Sequence, residues 1–274
     1  MKADLHNHSY FYDGFLSPKE IVRLASEANC DLFSLTYHDT TDGIAEAKDE
    51  AHKLGISLVN GVEISAFWRN SAIHIVGLGI DIDNDELQTG LKFNQILRKE
   101  RARKIAIGLW RSGIKDALEK AQMLSGGHML TRTHFAQMLI QEGYCKDMKS
   151  VFRRYLSGRK PGGVRVEWKD FNVVIKWIQS AGGKALIAHP FRYRMTSNKI
   201  KKLLSDFKEA NGDGFEVVNA NSTNEEITLG NKWSEDYDLL ASIGSDFHGW
   251  PNQRVQIGNL ADLPNNSRAI WSHL

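Results

Sequence analysis

Seven short apolar runs alternate along this chain with stretches of helical periodicity, and each of them contains or just precedes a histidine, aspartate or glutamate. Such alternation is the pattern of parallel strands joined by crossover helices. The expected strands are residues 2–8, 32–38, 57–65, 72–80, 184–190, 214–220 and 239–245. Helices are expected between them, for example at 17–28, where Ser17-Pro18 supplies a cap and a first-turn proline, and at 44–54. Seven strands in this order predict an α/β chain closed into a (β/α) barrel.

The alternation stops between residues 83 and 169. There Phe93, Ile96, Leu97, Ile105 and Leu109 recur at helical spacing, as do Phe135, Met138 and Leu139. Residues 1–90 and 166–274 are therefore read as the barrel, and 91–165 as an inserted helical subdomain over its mouth. Charge follows the same division. Lys and Arg number 6 against 15 acidic residues in 1–91, 17 against 5 in 92–165, and 12 against 13 in 166–274. So basic an insert beside so acidic a first segment points to an anionic partner, a phosphate ester or nucleic acid.

The 274 residues, 42% hydrophobic and 25% charged, suffice for a full core and exclude a disordered chain. No apolar run approaches a membrane span, and the N-terminus lacks a secretion signal. Two distant cysteines, Cys30 and Cys145, suit a reducing cytoplasm. No membrane contact and no obligate protein partner is expected.

The first run reads DLHNHS, and in extended backbone His6 and His8 project to one face, close enough to chelate one ion. One pair decides nothing, because a catalytic ion needs three or more ligands and an open position. Further donors lie shortly after this run, at Asp13, and within or just after the others, at His38, Glu63, His74, His189, Asp246 and His248. All are expected at the C-terminal ends of strands, the face on which such barrels hold their sites. His74, between Ile73 and Ile75, also fits a satisfied barrel histidine, whereas a buried Glu63 needs a positive partner. Nine donors exceed the needs of one ion, and three neighbouring divalent ions sharing a carboxylate would use them. Nitrogen and oxygen donors without thiolate suit manganese, iron or zinc. Asp4 and Asp39, each beside a histidine or near one, are expected to hold imidazole N–H groups. His52 and His273 are assigned to the surface.

Taken in order, DLHNHS, YDG, TYHDT, GVEIS, IHIVG, AHP and GSDFHG resemble the PHP (polymerase and histidinol phosphatase) metallophosphoesterase superfamily. RTHFA, VFRRYLSGRKPGG and GGKALIAHPFRY extend the likeness to the bacterial subgroup typified by ribonuclease AM and 3′,5′-nucleotide bisphosphate phosphatases. The resemblance implies a distorted seven-stranded barrel, a helical insertion and a trinuclear site. His6, His8, Glu63 and Asp246 would hold one ion, Glu63 with His74 and His189 a second, and Asp13, His38 and His248 a third. Where the family usually has TDHDT this chain has Tyr37 before His38, which removes a carboxylate from that neighbourhood.

This inventory suits phosphoester hydrolysis by an activated water on a nucleotide or RNA substrate. Covalent options are missing: Cys145 has no arginine six residues on, and neither a GxSxG elbow nor a GxxxxGK[ST] loop occurs. Substrate contacts are assigned to Arg132, His134, Lys160, Arg192, Arg98 and Arg101. For each arginine a structural salt bridge competes with a phosphate contact, and for His134 a core position competes with a substrate contact. The alternatives are a histidinol-phosphate phosphatase, which leaves the basic insert without a role, and a non-catalytic metal-stabilised nucleic-acid-binding module. An amidohydrolase also opens with HxH but gives no work to Asp13, His38 and His248.

Overall fold

A computed structural model describes residues 1–250 and 254–274. Its single sheet has seven strands in sequential order: β1 (Ala3–Asp4), β2 (Leu32–Leu35), β3 (Ser57–Trp68), β4 (Ser71–Leu78), β5 (Lys184–Ile187), β6 (Gly214–Asn219) and β7 (Leu240–Gly244). The barrel nearly closes where the Leu5 amide donates to the Ile243 carbonyl at 3.1 Å and the His8 amide to Phe247 at 2.8 Å. An isolated parallel bridge links Asn7 and Phe247 across the same seam.

The expectation of uniformly parallel strands fails at β4, which runs antiparallel to both β3 and β5. Only Arg69 and Asn70 separate the paired residues Trp68 and Ser71. A crossover to a parallel strand needs a dozen or more residues, so this connection can only be a hairpin. The reversal matters for the site. His74 sits in the first half of β4, opposite Ser65, and reaches the barrel end where the parallel strands finish.

Helices cover the outside. In α1 (Pro18–Glu27), Ser17 accepts from the Glu20 amide while Glu20 returns a bond to the Ser17 backbone, and Ile21, Val22 and Ala25 face inward. They meet α2 (Ile44–Leu54), Phe33 and Leu35 in a core of their own. The largest cluster joins strand residues, including Val62, Ile64, Ile75, Leu186 and Phe215, to the buried faces of α7 (Phe171–Ser180), α8 (Ser197–Glu209) and α9 (Asn224–Asp236).

Helix α3 (Asp85–Arg111) spans two cores. Leu87 and Leu91 belong to the barrel, whereas Ala102, Ile105 and Leu109 pack with α4 (Ala117–Leu124), α5 (Arg132–Gln141) and α6 (Met148–Val151). Between these contacts the apolar stripe read from sequence does not point inward. Phe93 and Ile96 are exposed, and Asn94 and Arg98 are the buried pair, one helical turn apart. Both hydrogen-bond Asp39, so a buried carboxylate has turned a polar face of the helix to the protein.

Candidate metal centre

The strands are shorter than their sequence pattern suggests, and the donors lie mostly just beyond them. β1 stops before His6, β2 before His38, β5 before His189 and β7 before Asp246. Their loops are held tightly nonetheless. Asp39, His189 and Asp246 adopt left-handed backbone, with φ of +55°, +31° and +55°, conformations that cost about 1–3 kcal/mol and persist where surrounding contacts impose them. Gly244 is required beside the site, because a Cβ there would lie 2.3 Å from His6 Cβ.

Glu63, 1% exposed, is the hub. Its Oε1 lies 2.8 Å from His74 Nδ1 and 3.1 Å from His189 Nε2. Its Oε2 lies 2.8 Å from His38 Nδ1, 3.3 Å from His6 Nε2 and 3.4 Å from His8 Nε2. Asp246 Oδ1 stands 3.1 Å from His8 Nε2 and 3.5 Å from His6 Nε2. Asp13 Oδ1 is 3.3 Å from His248 Nε2 and 3.8 Å from His8 Nδ1. The nine donors read from the sequence thus meet in one nest. Among the described residues four triads can each close on one ion: His6, Glu63 and His189; His6, His8 and Asp246; His8, His38 and Glu63; and His8, Asp13 and His248. His38 accordingly joins Glu63, and His8 takes the place beside Asp13 and His248 that was expected for His38.

Cations fit this nest better than hydrogen bonds do. His8 Nδ1, Asp13 Oδ1, His38 Nδ1, Glu63 Oε2 and His189 Nδ1 are buried without a hydrogen-bond partner, a state that is costly and uncommon in folded proteins. His6 Nε2 and His8 Nε2 converge to 3.1 Å. Burial disfavours charge on Glu63, but the imidazoles of His38, His74 and His6 hold its carboxyl well below the usual range. Asp246 is lowered in the same way, against burial, by His248, His6 and His8. Burial opposes protonation of His6, yet Glu216, Glu63 and Asp246 raise it, while burial takes His38 down to about 4.

Glu216, in β6, escaped the sequence reading. Its Oε1 lies 2.5 Å from His6 Nδ1, and its Oε2 accepts the His189 amide at 2.6 Å. It therefore fixes His6 Nε2 toward the nest. The signal was present in GFEVVN, a lone carboxylate in an apolar strand, the same argument that singled out Glu63.

The expected imidazole supports, by contrast, are corrected. Asp4 accepts from Asn7 Nδ2 at 3.0 Å and from the Ser245 and Gly258 amides at 2.9 Å, tying the N-terminal strand to the chain's end. Asp39 accepts from the Ser65 amide at 3.0 Å, Asn94 Nδ2 at 2.7 Å and Arg98 Nε at 2.7 Å. Neither touches an imidazole because both are saturated by other donors. Tyr37 is fully buried in the α1–α2 core, where burial pushes its hydroxyl pKa upward.

Beside the nest lies a recess of about 280 Å³, walled by Asp13, His38 and His74 on one side and Arg98, Arg101, Arg132 and Arg165 on the other. Arg98 is a correction: it pairs with Asp39, bonds Ser65 Oγ at 2.6 Å and reaches the Tyr12 hydroxyl, so its charge is already neutralised. Arg101 Nε is buried without a hydrogen-bond partner, and burial with neighbouring Arg132 and Arg98 pushes its guanidinium down to about 9. Arg132 lies over Phe152 at 5.5 Å and Arg165, absent from the sequence reading, over Phe67 at 5.2 Å. Arg192 contacts Asp246 at the opposite edge. His134 turns away from the recess, its Nδ1 accepting the Thr131 amide at 3.1 Å to cap α5. Lys160 is exposed on a turn outside the recess wall.

Among the described residues no helix is long and apolar enough to cross a membrane. The PHP domain family matches residues 4–217. A 3′,5′-nucleoside bisphosphate phosphatase of Chromobacterium violaceum is 40% identical over 272 residues, covering 99% of this chain and 95% of that protein. A 5′-3′ exoribonuclease of Haemophilus influenzae is 39% identical over 273 residues, 98% of each chain. Both relatives are hydrolases. A solved structure from Chromobacterium violaceum, described as an amidohydrolase with bound sulfate and no metal, matches with a TM-score of 0.93 at 40% identity, over 100% of this chain and 95% of that one. The chain belongs to the PHP domain family.

Proposed function

We propose that this protein is a divalent-metal-dependent phosphoesterase that removes the 3′-phosphate from nucleoside 3′,5′-bisphosphates and, at the same centre, releases nucleotides from the 5′ end of RNA. One observation carries the reading: a nest of nine metal-type donors, eight of them in candidate triads and His74 against Glu63, opens onto a recess whose far wall presents Arg101, Arg132 and Arg165. A substrate with two phosphates fits that spacing of unlike functions; the relative at 40% identity is named as a 3′,5′-nucleoside bisphosphate phosphatase and the one at 39% as a 5′-3′ exoribonuclease.

His6, His8, Asp13, His38, Glu63, His74, His189, Asp246 and His248 would hold three divalent ions, with Glu63 shared between two triads. Carboxylates mixed with imidazoles suit manganese, iron or zinc, of which manganese is the ion proposed. Bound ions would neutralise the non-bridging phosphate oxygens, acidify the attacking water and stabilise the departing alkoxide. The chain's own residues do the positioning. Arg101, Arg132 and Arg165 take the 5′-phosphate, which leaves the 3′-phosphate at the Asp13, His38 and His74 edge. Arg192, seated on Asp246, adds a cation at the other edge. Glu216 holds His6 by its Nδ1 and thereby keeps Nε2 free for coordination. Ser65 in the recess is occupied by Arg98, so it offers no nucleophile. Both cysteines are buried and unpaired, in keeping with a cytoplasmic setting.

The test is hydrolysis by the manganese-loaded protein of adenosine 3′,5′-bisphosphate and of 5′-monophosphorylated RNA. Phosphate or nucleotide release is expected, and absence of both products overturns the reading. Histidinol phosphate, with nothing for the arginine wall, should turn over at least about tenfold more slowly in kcat/KM, given about 1.5–3 kcal/mol for a charged hydrogen bond.

A further inference from the structure

A second and larger cavity, about 1170 Å³, runs alongside the arginine recess and meets it at Thr133 and Phe152, which line both. One bank is the loop that carries Asp13, through Tyr10, Gly14 and Phe15, together with Trp250, two residues after His248. The other is α5 and the turns around it, through His128, Gln137, Ile140, Gln141 and Met148. The groove thus has one bank within two residues of two members of the donor nest, Asp13 and His248, and joins the arginine recess at Phe152, the ring under Arg132.

Its surface is aromatic to a degree that the fold does not require. Phe15 is 54% exposed, and its ring lies 5.9 Å from that of Trp250. Tyr10 stacks on His128 at 5.1 Å. Exposed, contiguous aromatic surface marks a binding site, and π-faces interleaved with side-chain amides suit unpaired bases. Among the described residues of the lining the one acidic side chain, Asp147, is bonded by Ser150 and lies near Lys146 and Arg153, so the bank is not repulsive to phosphate.

The proposed function, on which this inference rests, sets a direction. When the 5′-phosphate is held by Arg101, Arg132 and Arg165 and the next phosphate sits at the nest, the remaining chain must leave past the nest, and the bank of Gly14, Phe15 and Trp250 begins within two residues of Asp13 and His248. We propose that the groove between Phe15, Trp250, Tyr10 and His128 is the track for the 3′ continuation of a single-stranded RNA, stacking the second and following bases. Bisphosphate hydrolysis does not need this track, whereas RNA trimming does.

The experiment compares wild type, Phe15→Ala and Phe15→Trp on adenosine 3′,5′-bisphosphate and on 5′-monophosphorylated oligoribonucleotides of increasing length. The wild type should bind longer oligonucleotides more tightly up to the span of the groove. Phe15→Ala should lose on the order of tenfold in KM on RNA, the loss of one stacked base, keep its activity on the bisphosphate, and recover in Phe15→Trp. Length-independent RNA affinity, or equal losses on both substrates, overturns the track. Binding of the same oligonucleotides to His38→Ala, measured by anisotropy with and without Phe15→Ala, separates the two ideas. Groove-dependent binding without hydrolysis by the wild type sinks the phosphoesterase reading alone, and hydrolysis with groove-independent binding sinks the track alone.

Discussion

The donor nest and the arginine wall face each other across one recess, yet they are built by opposite rules. The nest draws its members from loops after β1, β2, β5 and β7 and from within β3 and β4, and every member touches another member. The wall comes from α3, α5 and the segment before α7, and its free guanidinia lie against aromatic rings or are buried without a partner. On the proposed function, reaction chemistry rests on the barrel and substrate recognition on the insert, so damage to the two should separate in kinetics.

The largest effect should come from the hub. Glu63→Gln removes the carboxylate shared by two triads and should lower kcat by on the order of 10³-fold, matching a loss of several kcal/mol of metal-derived stabilisation. Bound manganese, measured by elemental analysis, should fall in parallel; full metal content with full activity would remove Glu63 from the centre. Next is the strut between nest and wall. Arg98→Met leaves Asp39 buried and unpaired, and chemical denaturation should register a loss of about 3 kcal/mol. Adding Asp39→Leu should restore much of it, and a neutral single variant would show that the pair is dispensable.

On the wall, Arg101→Ala should raise KM for the bisphosphate by about tenfold or more while leaving kcat on a substrate without a 5′-phosphate unchanged. A change confined to kcat would move Arg101 into the reacting centre. Behind the nest, Glu216→Gln should weaken manganese binding about tenfold, as loss of a carboxylate behind a metal-bound imidazole does; calorimetric titration checks it, and unaltered affinity would reduce Glu216 to packing. Smallest of all, Ile96→Glu should shift stability by no more than about 0.5 kcal/mol, because Ile96 is exposed. A large loss of melting temperature would return that stripe to the core.

The donors were legible because metal chemistry admits few residue types, and those types recur at fixed places in a strand pattern. Recognition was only half legible. Arg101 and Arg132 sit where a phosphate contact would need them, but Arg98 turned inward to Asp39, Lys160 lies outside the wall, and Arg165 was passed over in a segment with no strand or helix pattern. An arginine's role depends on what its long side chain meets, and sequence spacing does not report that. His134 shows the same limit: a core position competed there with a substrate contact, and in the structure its ring caps α5 from three residues after Thr131.

The chain by itself determined which atoms could bind a cation, how many strands would carry them, and that a basic helical stretch would interrupt the barrel. Those properties are local, since they follow from side-chain chemistry, from period two against period 3.6, and from the count of charges along the backbone. The tertiary structure alone decided the reversal of β4 that brings His74 to the working end, the partition of donors into triads, and the assignment of carboxylates. Asp4 and Asp39 stand beside or near histidines in sequence, yet Glu216, 210 residues from His6, is the one that holds its ring. A hydrogen bond is made with the nearest group in space, and only closure of the barrel sets which group that is.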